Sequence, residues 1–226
     1  MPADPPTKSD LLGLFAMLRG DGLGFWRGVD PDRFWSRAGV TWSPADNVRH
    51  LTMSTAPVAR ALRLPRLILR VMFGAAPGSS RTWPVFRAAY LDALGKGATA
   101  GRFAPPPVAT PADPAAGQRR LIGECESTVL RLEHALERWR EEDLDRQRLP
   151  HPVLGRLPLR EMLMFTLFHF EHHRDQVARR LTGQERRKSW SDSSPGATMV
   201  NASIVEDVPG LGCPLTLPSR ARGSRS

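Results

Sequence analysis

Three of the six histidines crowd into one stretch, Phe168-His169-Phe170-Glu171-His172-His173-Arg174-Asp175-Gln176, inside the strongest apolar run of the chain. In a helix each residue turns by about 100°, so His173 lies about 40° from His169, with Met162, Phe165 and Gln176 within about 40° of His169 on the same face. Glu171 points about 200° away and His172 about 60° to the other side, so neither shares the direction of His169 and His173. Buried imidazoles one turn apart need hydrogen-bond partners and repel each other when both are protonated. A divalent cation between them answers both demands, because neutral imidazole is the commonest metal ligand and the i, i+4 spacing lets two ring nitrogens converge. On this stretch alone a blander reading stays open, with one core histidine satisfied by Gln176 and the other partly exposed.

A second element adds a third histidine. His50 lies two turns into a helix that Ser43 and Pro44 open, among Val48, Leu51 and Met53. Three histidines on two packed helices would bind one face of a metal and leave other positions to water or substrate, as in catalytic rather than structural sites. Gln176, one turn beyond His173, is placed to orient a ligand or a bound water, although an ordinary polar helix residue reads the same way. His134 faces the charged side of its helix and reads as solvated. His151 precedes Pro158 and lies over three turns from His169, too far for the same ion. Arg49 and Arg174 neighbour candidate ligands and offer charge for an anionic substrate, but adjacent helical positions point about 100° apart.

The elements that must position these residues are helices. Ser9 to Gly28 carries a rough apolar stripe at Leu11, Leu12, Phe15, Leu18, Phe25 and Trp26 behind capping-type Ser9 and Asp10. A loop and short turn, Val29 to Thr41, leads to Trp42-Ser43-Pro44-Ala45-Asp46, with a serine N-cap, proline at the first helical position and an acid able to close a capping box. That helix is expected to run to about Phe73 and to kink or split at Pro65. Thr82 to Leu94 reads as a short helix within a long crossover whose second part, Gly95 to Gly117, is rich in Gly, Pro and Ala. Gln118 to about Glu142 is amphipathic through Leu121, Cys125, Val129, Leu132, Leu136 and Trp139. Past a turn at Pro150, Pro152 and Gly155, the last helix opens at Pro158, runs through Leu181 and stops at Gly183. With no strand pattern, the expectation is an all-α fold, a four-helix bundle over residues 1–184 with a long crossover containing a short extra helix. Residues 185–226 mix Ser, Gly, Pro and Arg without a period and are expected to form a disordered tail.

Composition bounds the function. At 226 residues, 41% hydrophobic and 24% charged, the chain is neither collagen-like nor a multi-span membrane protein. Its apolar runs, Leu11 to Leu18 and Leu67 to Phe73, are too short to cross a bilayer, and no signal-peptide pattern opens it, so the expected location is cytoplasmic. Two cysteines, Cys125 and Cys213, make neither a disulfide framework nor a thiolate zinc site. The net charge is +9, but the arginines are scattered, lysines number three and no like-charge block exceeds Arg186-Arg187-Lys188, so nucleic acid is not the expected partner. Arg60, Arg63, Arg66 and Arg70 recur along a Leu-rich segment and are expected on a solvated outer face, though a membrane-surface helix has the same pattern.

The pairing of Trp42-Ser43-Pro44-Ala45-Asp46-Asn47-Val48-Arg49-His50-Leu51 with His169-Phe170-Glu171-His172-His173-Arg174-Asp175-Gln176 resembles the DinB-like superfamily of damage-inducible helical bundles, over roughly residues 9–183. The resemblance implies a four-helix bundle binding one divalent metal (Zn, Ni, Fe or Mn) through a histidine triad that falls on His50, His169 and His173. It further implies similarity to metal-dependent hydrolases and to thiol-dependent S-transferases, the mycothiol-dependent maleylpyruvate isomerases among them. The expected partner is then a small-molecule substrate, with a low-molecular-weight thiol as candidate, and a homodimer stays open. The long connection and the arginine-laden second helix depart from compact members, so a substrate pocket does not carry over. The alternative is a non-catalytic metal-binding or interaction protein with a basic surface.

Overall fold

The computed structural model describes residues 5–76 and 78–183. The disordered tail expected over 185–226 lies outside the described residues. Helix α1 (Lys8–Met17), a π-helical turn (Leu18–Gly22) and α2 (Leu23–Arg27) form one continuous N-terminal rod. Its cap is Thr7, two residues before the expected Ser9: the Thr7 hydroxyl accepts from the Asp10 N–H at 3.1 Å and the Asp10 carboxylate accepts from the Thr7 N–H at 2.9 Å. The wide turn rotates the later residues, so the buried stripe continues through Leu23 and Trp26 while Phe25 stays half-buried.

The segment expected to be a loop and turn holds a short helix, α3 (Pro31–Trp35), capped by the Asp30 carboxylate. Helix α4 (Pro44–Ala61) begins as its local chemistry dictates, with Ser43 and Asp46 closing a capping box and Pro44 at the first position. Pro65 splits the long helix outright. It caps α5 (Arg66–Phe73), and the Trp139 indole N–H donates to the freed Leu62 carbonyl at 2.9 Å. Helix α6 (Trp83–Gly95) is the extra helix of the crossover, which continues through a 3₁₀ turn (Gly101–Phe103). Helix α7 (Pro114–Glu137) starts earlier than expected, at an Asp113 cap, and ends before Trp139. A short α8 (Asp143–Arg146) follows, then α9 (Leu159–Leu181), which ends before Gly183 at φ 73°.

The expectation of no strand fails at one place. Between α8 and α9 a hairpin pairs β1 (Arg148–His151) with β2 (Gly155–Pro158), Leu149 opposite Leu157. Its strands are four residues long and Pro150 interrupts the first, so period-2 alternation is hard to see, yet Leu149, His151 and Leu157 face inward. The His151 Nδ1 accepts from the Val153 and Leu154 N–H groups at 3.2 and 3.0 Å and closes the turn.

Four long helices make the bundle. The N-terminal rod packs against α7 and α9, and α4 packs against the same two, so α4 and α9 are neighbours and not diagonal. Buried Val48 and Leu51 of α4, Cys125 and Val129 of α7, and Leu163 and Phe170 of α9 share one core. That adjacency brings the face of α4 that carries His50 onto the face of α9 that carries His169 and His173.

Candidate metal centre

His50, His169 and His173 meet with their Nε2 atoms turned to one point: His169 Nε2 stands 2.9 Å from His50 Nε2 and 3.0 Å from His173 Nε2. Among the described residues this is the one group of three or more His, Cys, Asp or Glu side chains whose donor atoms all lie within 4.8 Å of one another. All three are largely buried, at 4%, 5% and 9% exposure. No carboxylate joins them among the described residues.

The outward nitrogens fix the tautomers. His50 Nδ1 lies 2.8 Å from the Phe103 carbonyl, which only accepts, so Nδ1 carries the proton. His173 Nδ1 lies 2.7 Å from Asn47 Oδ1, whose amide nitrogen is already donating to the Ser43 carbonyl at 2.8 Å, so Nδ1 again donates. His169 Nδ1 faces Ser54 Oγ at 3.4 Å, and that hydroxyl gives its hydrogen to the Leu51 carbonyl at 3.1 Å. Each Nε2 therefore presents a lone pair to the same small space. Three lone pairs within 4.8 Å of one another have no hydrogen to share, and a divalent cation is the species that such a neutral, convergent donor set fits.

Burial pushes all three imidazoles below the ordinary histidine range, His169 and His173 well below it, and mutual repulsion between these two and the neighbouring histidines adds to the effect. The bond to the Phe103 carbonyl partly opposes the shift at His50. Trp42 covers the cluster, its ring centroid 5.0 Å from that of His50 and stacked 6.3 Å from that of His173. Phe165 stacks on His169 from the other side at 4.8 Å.

The outer partners are what sequence reasoning missed. Asn47 sits one turn before His50, on its face, and that i, i+3 spacing is a legible signal. The Phe103 carbonyl belongs to the crossover, and a backbone group leaves no trace in residue types. Gln176, expected to orient a ligand or a bound water, stands 2.9 Å from His172 Nε2. His134 is exposed as expected. His151 stays out of the triad but is buried, with its ring 4.2 Å from Phe165. Arg49 donates to the Pro106 carbonyl at 2.6 Å and ties the crossover to α4, while Arg174 pairs with its neighbour Asp175 at 2.8 Å.

No curated protein and no solved structure matches the chain. The family model of the DinB superfamily matches residues 4–177, most of the chain and all three histidines. The chain belongs to the DinB superfamily.

Proposed function

We propose that the chain is a divalent-metal-dependent enzyme of the thiol S-transferase or hydrolase kind, with His50, His169 and His173 as its metal ligands. The convergence of three unprotonated Nε2 atoms, each with its Nδ1 proton committed elsewhere, is the observation that supports this reading. When bound, the ion would acidify a thiol or a water so that the anion is present near neutral pH. Three neutral protein ligands leave coordination positions for such a group, which is the catalytic pattern. The chain's own residues hold and orient: Phe103, Asn47 and Ser54 keep each Nδ1 protonated and each ring turned inward, while Trp42 and Phe165 pack against the rings. None of the three imidazoles would be free to move a proton once the ion is held, because each Nε2 would be its donor and each Nδ1 is bonded outward. Proton transfer then falls to solvent or substrate.

One observation favours a second reading. The groups bonded to the triad are all neutral, and no acid or base stands among them, as a non-catalytic metal-binding protein would also have it. The discriminating experiment screens the metal-loaded chain with low-molecular-weight thiols and electrophiles beside an ester and amide panel. Metal-dependent turnover in either panel is expected. Turnover that survives complete metal removal contradicts the mechanism, and silence in both panels with intact metal selects the second reading.

A further inference from the structure

Helix α5 is apolar on the side that points away from the protein. Leu69, 1% exposed, anchors it, while Leu67 and Val71 are 71% and 79% exposed and Ile68 is 43% exposed. At about 100° per residue, Leu67 and Val71 flank the direction opposite Leu69. The arginines of this segment therefore do not form a simple solvated face. Arg66 and Arg70 take one flank of the helix, and its outer aliphatic strip has nothing over it among the described residues.

Exposed arginines lie on this helix and within six residues before it. Arg60, Arg63 and Arg70 are exposed, and among the described residues none of them forms a salt bridge. Exposed Arg156 stands at the far end, donating to the Phe73 carbonyl at 3.2 Å. Arg66 belongs to the body of the protein, paired with Asp143 at 2.8 Å and lying over the Trp139 ring. The stretch from Arg60 to Val71 thus joins an exposed aliphatic strip to exposed arginines that no carboxylate neutralises among the described residues. A second copy in a two-fold contact would set these arginines against their own images, and a nucleic acid would leave Leu67 and Val71 uncovered.

We propose that α5 is a docking surface for an anionic lipid bilayer, with Leu67, Ile68 and Val71 entering the acyl boundary and Arg60, Arg63 and Arg70 meeting the phosphates. No described helix is long and apolar enough to cross a membrane, so the contact is peripheral and reversible.

Co-sedimentation of the full chain with vesicles of phosphatidylcholine alone, or mixed with phosphatidylglycerol, tests this. Binding to the anionic vesicles is expected, weakened about tenfold by Leu67→Ser with Val71→Ser, by Arg63→Ala with Arg70→Ala, and by raised salt. The aliphatic pair is exposed, so its replacement should leave the melting temperature in place; should that variant fail to fold, the arginine pair decides. Wild-type chain that ignores anionic vesicles, or variants that bind as well as wild type, overturn the proposal. A solution dimer that Leu67→Ser with Val71→Ser turns into a monomer would also overturn it and assign the face to a second copy.

Discussion

Asn47 Oδ1 accepts a hydrogen bond from His173 Nδ1 at 2.7 Å, and so the first turn of α4 fixes the tautomer of a candidate ligand on α9. The same amide donates to the Ser43 carbonyl at 2.8 Å, which makes the helix start and the histidine cluster parts of one network. Losing such an outer partner ordinarily costs about 10- to 100-fold in metal affinity. Asn47→Ala is expected to lose about that much in competition with a chromophoric chelator, and Asn47→Asp, which keeps an acceptor, to lose less. Gln176→Ala should change affinity by less than about twofold, since its amide reaches His172 and no triad member. Equal affinities for wild type and Asn47→Ala would refute the positioning role.

A second prediction concerns acid. Burial pushes the His151 imidazole down to about 4, against roughly 6.5 for an unfolded chain. Between those values the unfolded state binds more protons, so this contribution is complete above about pH 6.5 and is lost as pH falls toward 4. Its full size is about 3 kcal/mol. With metal removed by chelator, wild type should lose melting temperature from pH 7 to pH 4.5 more steeply than His151→Asn, whose side-chain oxygen can still accept from the turn. Parallel pH profiles would show that His151 does not drive the acid lability.

A third prediction concerns the bundle's lower end. Arg160, 4% exposed at the start of α9, bonds Asp145 at 2.7 Å, Glu141 at 2.6 Å and the Pro6 carbonyl at 2.6 Å. Arg160 is buried while its carboxylate partners are 30% and 50% exposed, so its loss removes a buried hydrogen-bond hub without leaving a fully buried charge, and costs less than the about 3–5 kcal/mol of a pair buried on both sides. Arg160→Ala should therefore cost more in denaturant unfolding than Arg27→Ala, whose pair with Glu126 is exposed on both sides. Comparable losses from the two variants would remove Arg160 from the role of tying α8 and the N-terminus to α9.

What the chain reveals before folding follows from how local each feature is. The Ser43 to Asp46 cap, the break at Pro65 and the stop at Gly183 are written in adjacent residues, and the i, i+4 histidines need only helical periodicity. The Phe103 carbonyl, 53 positions from His50, depends on how the crossover lies over α4 and has no side-chain signature. Arg160 looks like one more arginine on a basic helix until α8 brings Asp145 to it. The hairpin escaped because Pro150 and four-residue strands obscure alternation, although Leu149 and Leu157 already had the apolar character their inward positions require.

The most direct test is elemental analysis of the purified chain after reconstitution with Zn, Ni, Fe or Mn. The account predicts about one divalent ion per chain, retained through desalting. His169→Ala, which removes the nitrogen that faces both other ligands, should lose the ion and keep a cooperative melting transition. Negligible metal in the wild type, or an unchanged stoichiometry in a folded His169→Ala variant, would contradict a metal centre at His50, His169 and His173.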